Sequence, residues 1–259
     1  MTTTIVINGE KQENLIKRSI NSCLKQTYKK KQIVVVYNNL RNIKFIKNIY
    51  KKKKVLFVKI NKKIQNATKD QLYKIKKALP YIKGQYVFLL DGDDYFLKNK
   101  VLNVMKKLIN KKLLIQDNYY ELINNKKKIT RQQHYKENIF YKYFFNNWPR
   151  RISTSSQALP TEVLKEFFKY KNPFKWKSLA IDAQLAIFCK YKFSIMNLNN
   201  AYTVKNILQY SVDKKYQNML NKDFWLRRIE QHKLNNSYEK KNFKGLDFLI
   251  CRIINIFIK

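Results

Sequence analysis

The apolar run Tyr86-Val87-Phe88-Leu89-Leu90 ends abruptly in Asp91-Gly92-Asp93-Asp94. An unbroken run of this length is the pattern of a parallel strand covered on both faces, because neither side of such a strand meets water. Gly84 punctuates the chain just before it. Upstream the same pattern recurs: Thr4 to Ile7, Ile33 to Val36 and Val55 to Val58 are short apolar runs. Between them lie segments of helical period, through Leu15, Ile16, Ile20, Cys23 and Leu24, around Ile43 to Tyr50, and from Thr68 to Leu79. This βαβ alternation predicts an α/β fold built on a doubly wound sheet with right-handed crossovers.

In such sheets ligands bind beyond the carboxyl ends of the strands, where successive loops converge. That rule puts Asp91 to Asp94 on the binding rim, together with Asn8-Gly9-Glu10 after the first strand and Tyr37-Asn38-Asn39 after the second. After Lys100 the pattern loosens. Helices are expected over Val101 to Ile109, from Thr161 behind Pro160, over Leu179 to Tyr191 and over Lys222 to His232, and a strand at Leu113 to Gln116. An aromatic-rich stretch covers Tyr135 to Trp148.

The acidic turn has a chemistry of its own. Mg2+ and Mn2+ are hard cations that prefer carboxylate and phosphate oxygens. Two carboxylates one residue apart at a strand end, Asp91 and Asp93, can hold such a cation against a diphosphate. Gly92 admits close substrate approach and unusual backbone angles, and Asp94 can anchor the turn or accept a hydrogen bond beside it. A calcium-binding EF-hand is excluded, since the loop places Phe96 and Leu102 where that motif needs Gly and Glu. His134 and His232 have no ligand partners at metal spacing.

The ordered pieces resemble family 2 of the GT-A-fold glycosyltransferases over most of the chain. The carriers are Thr4 to Asn8, then Ser19 to Tyr28 with its closing Gln26-Thr27-Tyr28, Gln32 to Val36, and Lys83 to Asp94, with Ser153-Thr154-Ser155-Ser156 similar to a strand lining the acceptor side. The resemblance implies a GT-A type, Rossmann-like mixed sheet with flanking helices. It divides residues 1–215 into a nucleotide-sugar-binding half (1–100) and an acceptor half (101–215), followed by a helical C-terminal extension (216–259). The implied activity is an inverting, hexosyltransferase-like transfer dependent on Mn2+ or Mg2+. The sugar passes from a nucleotide-sugar donor, a UDP-sugar first, to a glycan or lipid-linked acceptor in cell-surface polysaccharide or lipopolysaccharide synthesis.

By the same resemblance Asp93 and Asp91 hold the metal, and Asn8, Glu10, Asn38, Asp91, Gly92 and Asp94 bind the nucleotide sugar. Asp182, at the start of a late helix, is the base that takes the acceptor proton. Thr154, Ser155 and Trp148 lie on the acceptor side, with a plain solvated loop the alternative for Trp148. Two departures stand out. Tyr37-Asn38-Asn39-Leu40 occupies the place of the family's Asp-Asp-Gly-Ser, and Tyr202-Thr203-Val204-Lys205 that of its Tyr-Arg-x-His, leaving Lys205 as the substitute charge.

Composition bounds the partners. The formal charge is +38, carried by 47 Lys and only 8 Arg spread along the chain. Phosphate and base readers concentrate Arg on one element, so the pattern disfavours nucleic acid. Joint abundance of Lys, Asn and Ile matches A/T-rich coding. The competing reading is a basic module for nucleic acid or anionic membrane on a non-catalytic GT-A scaffold. Cys23, Cys189 and Cys251 are too scattered for a zinc site or a disulfide framework, and Met1 to Ile7 reads as a strand rather than a signal peptide. A cytoplasmic protein is expected. Leu246 to Ile258 is largely apolar but shorter than the about 20 residues that span a bilayer. It is read either as a helix packed on the domain or as a peripheral contact with the inner face of the cell membrane.

Overall fold

The computed structural model describes residues 1–9, 12–38, 40, 42–62, 64–131, 151–208, 218–239 and 245–258. Strands β1 (Thr3–Asn8), β2 (Lys31–Tyr37), β3 (Val55–Lys59) and β4 (Tyr86–Asp91) alternate with helices α1 (Glu13–Leu24), α2 (Ile43–Tyr50) and α3 (Ala67–Ala78). The four strands pair in parallel in the order β3-β2-β1-β4. Their side chains alternate between two cores. Ile5, Ile7, Ile33, Val35, Phe88 and Leu90 face α1 and α2, whereas Val6, Val34, Val36, Val87 and Leu89 face α3 on the opposite side. Burial on both faces is the reason these strands carry unbroken apolar runs.

Beyond β4 the sheet becomes mixed. The chain continues through β5 (Tyr95–Phe96), α4 (Lys100–Leu108), β6 (Leu114–Ile123), β7 (Lys126–Thr130), β8 (Gln157–Pro160), α5 (Thr161–Lys169), α6 (Ile181–Lys192) and β9 (Ile195–Asn206). β8 lies antiparallel between β4 and β6, β6 runs parallel to β9, and β5 closes the order antiparallel to β9. β7 forms a hairpin on β6 through Asn124 and Asn125, both at positive φ, the pair of left-handed residues that a tight hairpin turn demands. α4 joins α1 and α2 on the first face; α5 and α6 join α3 on the second. The expected doubly wound mixed sheet with flanking helices is therefore present.

Several local expectations need correction. Ser153 to Ser156 is not a strand: Thr154–Ser156 form a short 3-10 turn, closed by reciprocal hydrogen bonds between Ser153 and Ser156, and β8 begins only at Gln157. Strand β6 continues to Ile123, well past Gln116; the register shifts around Asp117, Asn118 and Tyr119 break the alternation by which the sequence would mark it. β9 was not foreseen; its partly exposed pattern, with Asn197, Asn199 and Asn200 interleaved, hides the strand period.

The helices of the C-terminal extension are α7 (Lys222–Glu239) and α8 (Leu246–Phe257). α7 packs on the base of α6, where Leu234 meets Leu179, Ala183 and Ile187. Tyr238 stacks between Tyr170 and Tyr191, at centroid distances of 5.6 and 5.4 Å. Glu230 accepts from the Lys177 and Ser178 amides at 2.9 and 2.7 Å, fixing the loop that leads into α6.

Gly84 locks β4 against β1. Its amide donates to Thr4 Oγ1 at 2.9 Å and its carbonyl accepts from Thr161 Oγ1 at 2.6 Å. A Cβ at this position would lie 2.5 Å from backbone atoms of Thr3 and Thr4, closer than carbon contacts allow. Gly84→Ala is expected to lower stability by about 1–3 kcal/mol through forced displacement of β1, read as a lower midpoint in urea unfolding.

Candidate active site

The β1–β4 registers place Asn8 beside Val36 and Asp91, so the ends of β1, β2 and β4 share one rim. Gly9 lies so close to β2 that a Cβ would come 2.8 Å from Val36 O and Tyr37 Cβ, and its amide donates to Val36 O at 2.7 Å. The Asn8 side-chain oxygen is buried with no hydrogen-bond partner. A buried acceptor left open in this way costs stability until a donor fills it. Asn38 donates to Asp70 Oδ1 at 2.8 Å, and Asp70 pairs with Lys74 at 2.7 Å. Helix α3 thus brings a carboxylate to the rim beside the Asn38 loop, which the residue order around Asn38 did not reveal. Glu10 and Trp148 lie outside the described residues.

The acidic turn is held from below. Asp94 is 2% exposed; its carboxylate accepts from Ser155 Oγ at 2.6 Å and from the Asn206 amide at 2.9 Å. Ser155 Oγ also accepts from the Asp91 amide at 3.0 Å, and the Asp94 amide closes the turn onto Asp91 O at 3.0 Å. Ser19 hydrogen-bonds the Asp94 carbonyl, and Arg18 donates to Asp93 O at 2.6 Å while its guanidinium sits 4.8 Å from the Tyr95 ring centroid. Asp94 therefore anchors the turn; Asp91 and Asp93 are half-buried residues of it, and the Asp91 carboxylate accepts from Gln71 Nε2 at 2.6 Å. Gly92 does not use a left-handed conformation; Gly245 alone among the described glycines has positive φ. Ser155 and Thr154 are both buried, Ser155 under the turn and Thr154 accepting from Gln71 at 3.2 Å.

Under Ser155 lies a fully buried cation. Lys100 Nζ donates to Asp117 Oδ1 at 2.8 Å, Ser155 O at 2.5 Å and Thr203 Oγ1 at 2.6 Å. Asp117 also accepts from Thr203 Oγ1 at 2.8 Å and from the Tyr202 amide at 3.0 Å. Burial lowers the Lys100 ammonium and raises the Asp117 carboxyl from their ordinary values, and each partner's charge opposes the other's shift. No local pattern in the sequence signals this pair, because its partners lie on β6, β9 and the Thr154–Ser156 turn.

Asp182 occupies the first turn of α6, is buried, and accepts from the Ala183 amide at 2.6 Å; its carbonyl accepts from Gln157 Nε2 at 2.9 Å. It shares the electrostatic environment of Asp91. Burial, then the charge of Asp94, push the Asp91 carboxyl up to about 7, with a further rise from Asp182; the Gln71 hydrogen bond at 2.6 Å and the charge of Lys205 oppose the shift. Asp94, Asp182 and Lys205 thus all act on Asp91. On the far side of the turn a cleft of about 760 Å3 between α1 and β5 has Lys17, Arg18, Lys25 and Lys98 in its wall.

The profile of Glycosyl transferase family 2 matches residues 4–168. The chain belongs to that family. It is 26% identical over 249 residues to an uncharacterized glycosyltransferase, MJ1057, of Methanocaldococcus jannaschii, covering 93% of this chain and 78% of that protein. Its fold is similar to S. aureus TarS 1-349 in complex with UDP-GlcNAc, with TM-score 0.63 and 13% identity over 100% of this chain and 71% of the other. It is also similar to the mannosyltransferase PcManGT of Pyrobaculum calidifontis in complex with GDP-Man and Mn2+, with TM-score 0.62 and 11% identity over 98% and 69%. The sheet and helices of this glycosyltransferase are those of the GT-A fold.

Two outcomes follow from the buried charges. Lys100→Ala leaves Asp117 without its cation and is expected to cost about 3–5 kcal/mol in urea unfolding, with most of it recovered when Asp117→Leu is combined with Lys100→Met. Asp91 ionises near 7 in the folded chain against an ordinary 3.8. The folded state therefore holds the extra proton between those values, and the associated stability is lost as pH rises through about 7. With metal chelated, Asp91→Asn should gain in Tm over the unsubstituted protein from about pH 5 to about pH 8; a constant difference across that range would contradict this electrostatic account.

Proposed function

We propose that this glycosyltransferase moves a sugar from a nucleoside diphosphate donor, a UDP-sugar first, to a hydroxyl of a saccharide or lipid-linked acceptor, with inversion at the anomeric carbon. The supporting observation is the shared rim: half-buried Asp91 and Asp93 on a turn fixed by buried Asp94, with Asp182 close enough to perturb Asp91. The proposed setting is cell-surface polysaccharide or lipopolysaccharide synthesis, with a hexosyl donor and peripheral association at an anionic membrane.

The donor set suits a divalent cation. Among the described residues no group of three or more His, Cys, Asp and Glu side chains forms a protein metal cluster. A cation at the turn would instead use Asp93 and Asp91 for part of its shell and diphosphate oxygens for the rest, the habit of Mg2+ and Mn2+. Bound there, Mn2+ or Mg2+ would supply Lewis-acid stabilisation of the leaving diphosphate.

The remaining roles fall to this chain's own residues. The open Asn8 oxygen and the Asn38–Asp70 pair receive the nucleoside end, and the backbone at Gly92 meets the donor. Lys205, whose charge acts on Asp91, is the cation for the diphosphate in place of the missing Arg and His. Asp182 accepts the acceptor hydroxyl proton as that oxygen bonds to the anomeric carbon; the carbon's bond to the diphosphate breaks and its electron pair leaves on the phosphate oxygen. Gln157 and the α7 contacts hold α6 and thereby orient Asp182.

Thermal shift with a panel of UDP-, GDP-, CMP- and dTDP-sugars, with and without Mn2+, should identify one donor class. Asp93→Ala is expected to abolish both the Mn2+-dependent shift and turnover. Asp182→Asn should keep the shift while slowing turnover by about 10²–10⁴. Unchanged turnover in both variants would refute the assignment, and absence of any metal-dependent donor shift would favour the non-catalytic basic scaffold.

A further inference from the structure

The last helix presents the wrong side to water for a packed surface helix. α8 is fastened to α7 by one face, where Phe248 and Cys251 pack on Ile229 and Trp225, and Asp247 meets His232 at 3.3 Å. The opposite face holds Leu246, Leu249, Ile250, Ile253, Ile256 and Phe257, which are 42–79% exposed. At about 100° per residue these six side chains fill a single arc of about 120°. Arg252 is exposed and flanks the arc between its apolar and buried sides. The pairing is antiparallel: His232 meets Asp247 and Phe248, and Trp225 lies against Cys251 and Phe248. It brings the α7 entry, where Met219 and Leu220 are 64% and 81% exposed, toward the end of α8 that carries Ile256 and Phe257.

We infer that the outer face of α8 is a membrane-docking surface that lies flat in the headgroup region of an anionic bilayer. The arc contains only aliphatic and phenyl groups, with no hydrogen-bonding side chain to specify a protein partner. A second copy is a poor occupant, because each chain carries +38 and apposed copies repel. An anionic bilayer accepts both features: apolar side chains enter the acyl boundary while exposed Arg252, at the edge of the arc, and the net positive charge of the chain meet lipid phosphates. No helix among the described residues is long and apolar enough to cross the membrane, so the contact is in-plane. The inference rests on the proposed function only for its purpose, delivery of the site to a lipid-linked acceptor; the docking geometry is independent of the chemistry.

The test is flotation of the full chain with vesicles of phosphatidylcholine containing about 30% phosphatidylglycerol, compared with phosphatidylcholine alone. The protein should float with the anionic vesicles, bind neutral ones at least about tenfold less, and lose affinity by at least about tenfold in Ile253→Glu/Ile256→Glu. Both substituted residues are exposed, so circular dichroism and Tm should be unchanged; Ile253→Ser/Ile256→Ser provides a charge-neutral check, expected to weaken binding in the same direction. Equal flotation of these variants, or no flotation of the unsubstituted chain, overturns the docking surface. So does concentration-dependent dimerisation that both variants abolish, which would assign the face to a second copy. Donor-induced thermal shift of the unsubstituted chain separates the two proposals: a donor shift without flotation rejects docking alone, and normal flotation without any donor shift rejects the transferase reading alone.

Discussion

The site depends on a charge pair that water never reaches. Isolating an ammonium or a carboxylate inside a protein is costly, and the Lys100–Asp117 pair is tolerable because both charged groups are themselves hydrogen-bonded, the ammonium to Asp117, Ser155 and Thr203 and the carboxylate to Lys100, Thr203 and the Tyr202 amide. The matching has a structural consequence. The partners come from α4, β6, β9 and the Thr154–Ser156 turn, segments far apart in the chain, and the pair specifies their mutual placement. Ser155 then transmits that placement upward: its carbonyl takes Lys100, and its hydroxyl binds Asp94 and the Asp91 amide. The acidic turn thus stands on a floor that four segments build together.

Above that floor the electrostatics invert. The chain as a whole is strongly basic, yet Asp91, Asp94 and Asp182 gather at one rim, where burial first, and then the charges of Asp94 and Asp182, raise the Asp91 carboxyl to about 7. Such a site favours a cation, and a basic surround raises the local concentration of an anionic substrate. The two tendencies suit a ligand that arrives as a diphosphate and is neutralised where the carboxylates lie. Lys205 sits between these regimes, since its charge acts on Asp91 from a strand whose next residue pins Asp94.

The first half of the fold was legible because β1, β2 and β4 are buried on both faces, so Ile5 to Ile7, Ile33 to Val36 and Val87 to Leu90 had to be apolar at every position. The second half was not. β9 is half exposed with asparagines interleaved, β8 is four residues long, and β6 breaks its own register at Asp117. The acidic turn and Asp182 could be found from their neighbours in sequence. Lys100, Gln71 and Asp70 could not, because their roles arise only when α3 and α4 are folded against strands with which they share no local pattern. The Thr-Ser run marks Ser155 in the sequence, but its hydrogen bonds to Asp94, the Asp91 amide and Lys100 exist only in the fold.

The tyrosine stack at the end of α7 bears on how such a chain can be divided. Tyr238 lies between Tyr170, just beyond α5, and Tyr191, on α6, while Leu234 fills a pocket on the helix that carries Asp182. Helix α7 therefore forms part of the wall behind the candidate base. Shortening the chain ahead of α7 would bare one flank of α6 to solvent, so any relative that dispenses with this hairpin must have found another way to shield the same flank.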